Sequence, residues 1–160
     1  MSTAMVLLLL SLVLFITLLA GDSVGALMPE PGIVSEVKGL TEQVMTLNLS
    51  ISDGSFVPPH GGKELHGKIL TATRQYPAGV YPAENLHAAL KAAGWGIDYK
   101  FGADSSEGTA FAYRKEHVLC VFRISWSPGY VDYEGLTDQQ EAEQNNVPHA
   151  YAVTVYVLAN

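Results

Sequence analysis

Two histidines and a glutamate fall close together in FVPPHGGKELHGK, the stretch from Phe56 to Lys68. His60, Glu64 and His66 offer two imidazole nitrogens and a carboxylate, donors that suit zinc or copper. Catalytic zinc takes three protein ligands and structural zinc four, at recognisable spacings. Neither H-E-x-x-H nor a cysteine pair occurs in the chain. A metal reading therefore rests on this set or on a donor brought from elsewhere. His117 and His149 each open a predicted strand. If those strands are antiparallel neighbours, the two histidines lie at opposite sheet ends, roughly 30 Å apart at about 3.3 Å per residue. They then share no ion. Without a metal, the stretch is a polar connection between strands.

A second set of residues suits recognition rather than chemistry. The segment Ser127 to Pro148 reads SPGYVDYEGLTDQQEAEQNNVP. Connections beyond about 12–15 residues are usually functional or disordered. Tyr130, Asp132, Tyr133 and Glu134 mix aromatic rings with carboxylates, which fits contact with a protein of basic or polar surface. Calcium binding by Asp132, Glu134 and Asp138 would call for D-x-[DN]-x-[DN]-G spacing, which is missing. Cys120 shares a predicted strand face with Val118, Phe122, Ile124 and Trp126, so its thiol reads as a small core group. It is the single cysteine, and no intramolecular disulfide can form. His87 lies beside Glu84 and Lys91 on a predicted helix and reads as a surface residue.

Charge narrows the partners. The chain has 160 residues with 9 Lys+Arg against 16 Asp+Glu, a formal charge of -7. Phosphate binding needs a basic stripe, so a nucleic-acid partner is not expected. No Lys or Arg comes after Arg123, whereas Asp132, Glu134, Asp138, Glu141 and Glu143 do. That part of the chain should be repelled by anionic membrane surfaces.

The N-terminus carries the sharpest signal. Val6 to Ala20 runs VLLLLSLVLFITLLA. A spanning helix needs about 20 apolar residues and a secretory leader about 7–15. Val24 and Ala26 are small residues at the -3 and -1 positions of a cleavage before Leu27. The leading residues MSTAM lack Lys and Arg, and an uncleaved anchor extending toward Met28 is the alternative. Leu18-Leu19-Ala20-Gly21 resembles the end of a bacterial lipoprotein signal, but Asp22 stands where the lipidated cysteine should come next. Export is expected, with the chain extracellular, periplasmic, or anchored and facing outside. The membrane is met only through this N-terminal segment.

The rest of the chain must supply the elements that position these residues. Residues 1–26 read as signal peptide or anchor, 27–43 as a spacer, and 44–160 as a single domain. Val44 to Ile51 alternates as a strand and Ser52-Asp53-Gly54-Ser55 reads as a turn. Lys68 to Thr73 forms a short strand. Pro82 to Ala93 forms the helix, with an apolar stripe at Leu86, Ala89, Leu90 and Ala93. Further strands are expected over Trp95–Phe101, Thr109–Arg114, His117–Trp126 and His149–Leu158, with Gly102–Gly108 as a turn. The fold class is α+β, a two-layer sandwich with one helix on an antiparallel sheet and a meander of four strands after the helix. The expected function is an exported, envelope-exposed, non-catalytic binding module. The alternatives are an exported metal-binding protein or metallohydrolase using His60 and His66, and an acidic inhibitor or immunity-like protein.

Overall fold

The computed structural model describes residues 28–59, 61–78, 80–105, 108–127 and 148–159. Pro31–Met45 form helix α1, with Pro31 in the first turn, where its missing N–H costs nothing. Val34, Val37, Thr41 and Met45 are its buried stripe, and the Thr41 hydroxyl donates to the Val37 carbonyl at 2.8 Å. The helix stops at Thr46, which adopts a left-handed conformation at φ 48. The Leu47 N–H then closes on the Glu42 carbonyl at 3.2 Å. Glu42 also accepts from the Leu49 N–H at 2.6 Å, stapling the helix end to the chain that leaves it.

Strand β1 (Ser50–Phe56) turns into β2 (Leu65–Tyr76). Helix α2 (Leu86–Ala92) carries the chain across to the far edge of the sheet. There β3 (Gly96–Ile97), a 3-10 turn (Tyr99–Phe101) and β4 (Ala103–Ser105) form an interrupted edge along β5 (Gly108–Lys115). Strands β6 (Val118–Ser127) and β7 (His149–Ala159) return toward the middle. The order is β1-β2-β7-β6-β5-β3, with β4 also on β5, and the pairings are antiparallel. The meander after α2 is thus present. The last strand closes the sheet against β2, from Gly67↔Leu158 to Tyr76↔His149.

Both helices bury their apolar residues on one face. Val34, Val37 and Met45 of α1 and Leu86 and Leu90 of α2 meet Leu70, Tyr113, Cys120, Phe122, Val155 and Val157 of the strands. The other face holds a smaller cluster, in which Phe56 packs with Ala112, Leu119, Val121 and Leu158. Central β6 feeds both clusters, which is why its sequence is apolar on alternate and intervening positions alike.

Several expectations are corrected. The spacer 27–43 is largely α1, so the fold has two helices and its core begins before Val44. Two glycines and the β-branched residues of α1 lower its intrinsic helicity and hid it; burial of the stripe supplies what propensity lacks. Leu47 and Leu49 are buried but precede the strand, and Ser52 to Ser55 are inside β1 rather than in a turn. The helix begins at Leu86 rather than Pro82, because residues Tyr81 to Leu86 close three-residue turns, such as Leu86 N–H to Ala83 carbonyl at 3.0 Å. Trp95–Phe101 is no continuous strand. The Asp98 carboxylate accepts the Lys100 N–H at 3.1 Å and bends the chain into the 3-10 turn. The expected turn 102–108 contains β4.

Candidate functional site

Tyr151 is the hub of an aromatic cluster at one end of the sheet. Its ring centroid lies 5.5 Å from Tyr76, 6.1 Å from Trp126, and 6.4 Å from Tyr81 and from His149. Register explains the convergence. Tyr151 pairs with Trp126 across β6–β7 and with Arg74 across β2–β7, while Tyr76 pairs with His149. The residues come from adjoining strands at the end where β2 and β6 finish and β7 begins. Tyr81 arrives from the connection between β2 and α2.

Anchoring is polar. The Tyr76 hydroxyl donates to the Met45 carbonyl, tying the cluster to the end of α1. The Tyr151 hydroxyl donates to the Val80 carbonyl at 3.4 Å. The Arg74 guanidinium sits 5.5 Å over the Tyr76 ring. Burial pushes the Tyr76, Tyr151 and Tyr81 phenols above the ordinary tyrosine value, and Tyr151 and Asp104 add to the effect at Tyr81. These groups stay protonated at neutral pH and act as hydrogen-bond donors and π faces, not as nucleophiles. Tyr81 keeps 40% of its surface in water, and Val80 beside it is also exposed.

This is also the end at which the acidic segment is rooted, since Ser127 closes β6 and His149 opens β7. Tyr130, Asp132, Tyr133, Glu134 and Asp138 themselves lie outside the described residues. The cluster that flanks their attachment points escaped the sequence reading. One signal for it was present: QYPAGVYP repeats Tyr-Pro at Tyr76 and Tyr81, at the end of β2 and in the connection that follows it.

The histidine stretch is the turn between β1 and β2, at the opposite end. His60 lies outside the described residues. Glu64 is exposed and accepts from the Ser55 hydroxyl. His66 is exposed on β2 opposite Ser55. Among the described residues no group of three His, Cys, Asp or Glu side chains is arranged to hold a metal ion. His117 and His149 do lie at opposite ends of the sheet, because β6 and β7 run antiparallel from Val118↔Ala159 to Ser127↔Ala150.

His87 is a correction. It is half-buried under α2, with Nδ1 2.7 Å from the hydroxyl of fully buried Tyr113 and its ring 4.5 Å from that of Phe111. Cys120 is fully buried, as expected for a core thiol, and desolvation pushes its pKa far up. On the sheet face away from the helices, a groove of about 440 Å³ is floored by Arg123, Ser125, Thr154 and Tyr156. Among the described residues Arg123 makes no ion pair.

The site and fold together define an antiparallel α+β domain with an aromatic end. No family model, curated protein or solved structure matches the chain. No helix of the described residues is long and apolar enough to cross a membrane.

Proposed function

We propose that this chain is an exported, non-catalytic binding module, built as a two-layer sandwich, whose partner is a protein with a basic or polar surface. The observation that carries the reading is the aromatic cluster of Tyr76, Tyr81, Trp126 and Tyr151 at the strand ends that root the acidic segment. Tyr76 and Tyr151 are core residues that fix the cluster, so the ring open to a partner is that of Tyr81, with half-buried Trp126 in the same cluster; such aromatic faces take up arginine and lysine side chains through cation–π contacts. The segment rooted there carries Asp132, Glu134 and Asp138, carboxylates that would attract such a partner. An inhibitor or immunity-like role, in which this end masks a basic protein, is the same chemistry put to a particular use. The apolar run Val6–Ala20 supports export, as leader or as anchor.

The competing reading is a zinc or copper site at His60, Glu64 and His66, and the two are separable. Fluorescence polarisation against a panel of basic and polar peptides tests them side by side. The binding reading predicts at least one binder whose affinity falls about tenfold or more in Tyr81→Ala and in a Tyr130→Ala, Tyr133→Ala double variant, as loss of an aromatic hot spot does. The His60→Ala, His66→Ala variant should bind as the parent does. An absence of binders, together with a thermal shift by zinc that vanishes in the histidine variant, would reverse the preference.

A further inference from the structure

The groove on the sheet face away from the helices holds about 440 Å³, within the range of about 300–1,000 Å³ usual for small-ligand sites. Strand register explains its shape. One row across the sheet runs Ala103, Ala110, Arg123, Thr154, Thr71, Ser50, each residue paired with the next. Paired residues on antiparallel strands share a face. Val121, two residues before Arg123, packs in the cluster on the face opposite the helices, so Arg123 stands on that face too. It is the one long side chain in a row of methyls and hydroxyls. The row beside it is also low, since Ser125 is flanked by Gly108 and Ala152. Tyr156 walls the other side.

We propose that this groove binds a small organic acid, a carboxylate on a hydroxylated body, with Arg123 holding the carboxylate. The site lies on the face away from the aromatic cluster and does not depend on the partner proposed for that end.

Charge selects the anion. Arg114 pairs with Asp98 and Arg74 lies over the Tyr76 ring, whereas Arg123 makes no ion pair among the described residues. A free guanidinium fork matches the two oxygens of a carboxylate. Asp104 also lines the groove, but its carboxylate is turned away from Arg123. It accepts from the Thr109 hydroxyl, and Thr109 pairs with Ile124, which is buried in the core beneath the helices. The same carboxylate acts on the Tyr81 phenol, on that helix side.

The number of cations and the lining narrow the class further. Among the lining residues Arg123 is the only cation. It balances a monoanion, whereas a phosphate monoester brings a charge of about -1.5 to -2 at neutral pH. The excess would be left uncompensated on a chain of formal charge -7. Hydroxyls of Ser125, Thr154 and Tyr156 line the groove and can each donate and accept, which suits a body bearing hydroxyl groups.

The test titrates the isotopically labelled full chain with sodium glucuronate, ionic strength being held fixed with sodium chloride. The Arg123 Nε–Hε signal should shift saturably while those of Arg74 and Arg114 stay in place. Glucose and inorganic phosphate should bind about tenfold more weakly or not at all. Arg123→Gln should weaken glucuronate about tenfold or more, read at the backbone amides of Ser125 and Thr154. Its melting temperature should match that of the parent, because Arg123 is exposed. A shift shared by Arg74, Arg114 and Arg123, or no saturable shift at Arg123, overturns the proposal. Glucose or phosphate binding as tightly as glucuronate overturns it as well. An Arg123 signal that moves with protein concentration, or on neutralising Asp132, Glu134 and Asp138, with no acid added, assigns the groove to the chain itself and also overturns it.

Discussion

Lys115 Nζ lies 2.9 and 3.1 Å from the two carboxylate oxygens of Glu36, joining the middle of α1 to the end of β5. The same lysine donates to the Ala93 carbonyl at 2.9 Å, and the Trp95 indole donates to Glu36 at 2.9 Å. One carboxylate thus gathers the helix, the chain after α2 and the sheet. The Lys115 hydrogen bond holds the Glu36 carboxyl below the ordinary value of 4.5, against the upward push of burial and with further help from Trp95.

That direction sets a pH dependence. A carboxyl whose folded value is depressed contributes stability above its unfolded value and loses it as pH falls through the folded one. Glu36→Gln should cost about 1 kcal/mol at neutral pH, a modest figure because the pair is partly solvated. The melting temperatures of parent and variant should converge as pH drops from about 6 to about 3, since protonated Glu36 resembles glutamine. A gap that persists at acid pH contradicts the account.

Two glycines should respond in opposite senses. A Cβ at Gly67 would stand 2.1 Å from the Val157 carbonyl oxygen and 3.0 Å from Leu158 Cα, both backbone atoms of the neighbouring strand. Gly67→Ala should therefore cost about 1–3 kcal/mol, as overpacking does. At Gly39, inside α1, a Cβ meets nothing within 4 Å. Gly39→Ala should add about 0.5–1 kcal/mol, the usual helix-interior difference between the two residues. Urea denaturation of both variants gives the signs.

What was legible in the sequence were elements whose pattern and burial agree. Strands β5, β6 and β7 fall almost where alternation and apolar runs put them, because central strands are specified by the two faces they bury. Helix α1 was illegible because Gly32, Gly39, Val34, Val37 and Thr41 weaken local propensity, and only the sheet beneath makes the stripe worth forming. Asp53-Gly54 reads as a turn locally, yet Gly54 pairs with Gly67 and lies under the Ile69 side chain, contacts that local pattern cannot express. The aromatic cluster is a matter of register between strands distant in sequence. His87 looked solvent-facing by its polar neighbours, while its contact with Tyr113 depends on where α2 crosses β5.

Tyr76 is expected to matter beyond its ring. Tyr76→Phe keeps the packing but leaves the buried Met45 carbonyl without its donor. The cost should be about 1–2 kcal/mol, read as a lower midpoint in urea with an unchanged slope. A neutral result would separate the cluster from the end of α1.

Cys120 should report global unfolding. The thiol is fully buried and burial pushes its pKa far up, so thiolate is scarce and inaccessible in the native state. Maleimide labelling should be negligible without denaturant and should track the unfolding transition measured by circular dichroism. Rapid labelling of the native chain would show that the sheet opens around β6.

The central claim is that the partner-binding surface is the aromatic end, and two indoles report on it. Trp126 belongs to the cluster around Tyr151, whereas Trp95 is buried beside Lys115 and Glu36. An arginine-rich peptide titrated into the isotopically labelled chain at low salt should shift the Trp126 indole and the Tyr81 ring, leave the Trp95 indole in place, and lose its effect as salt rises. Shifts that centre instead on Glu64 and His66, or no shift at either tryptophan, would contradict the account.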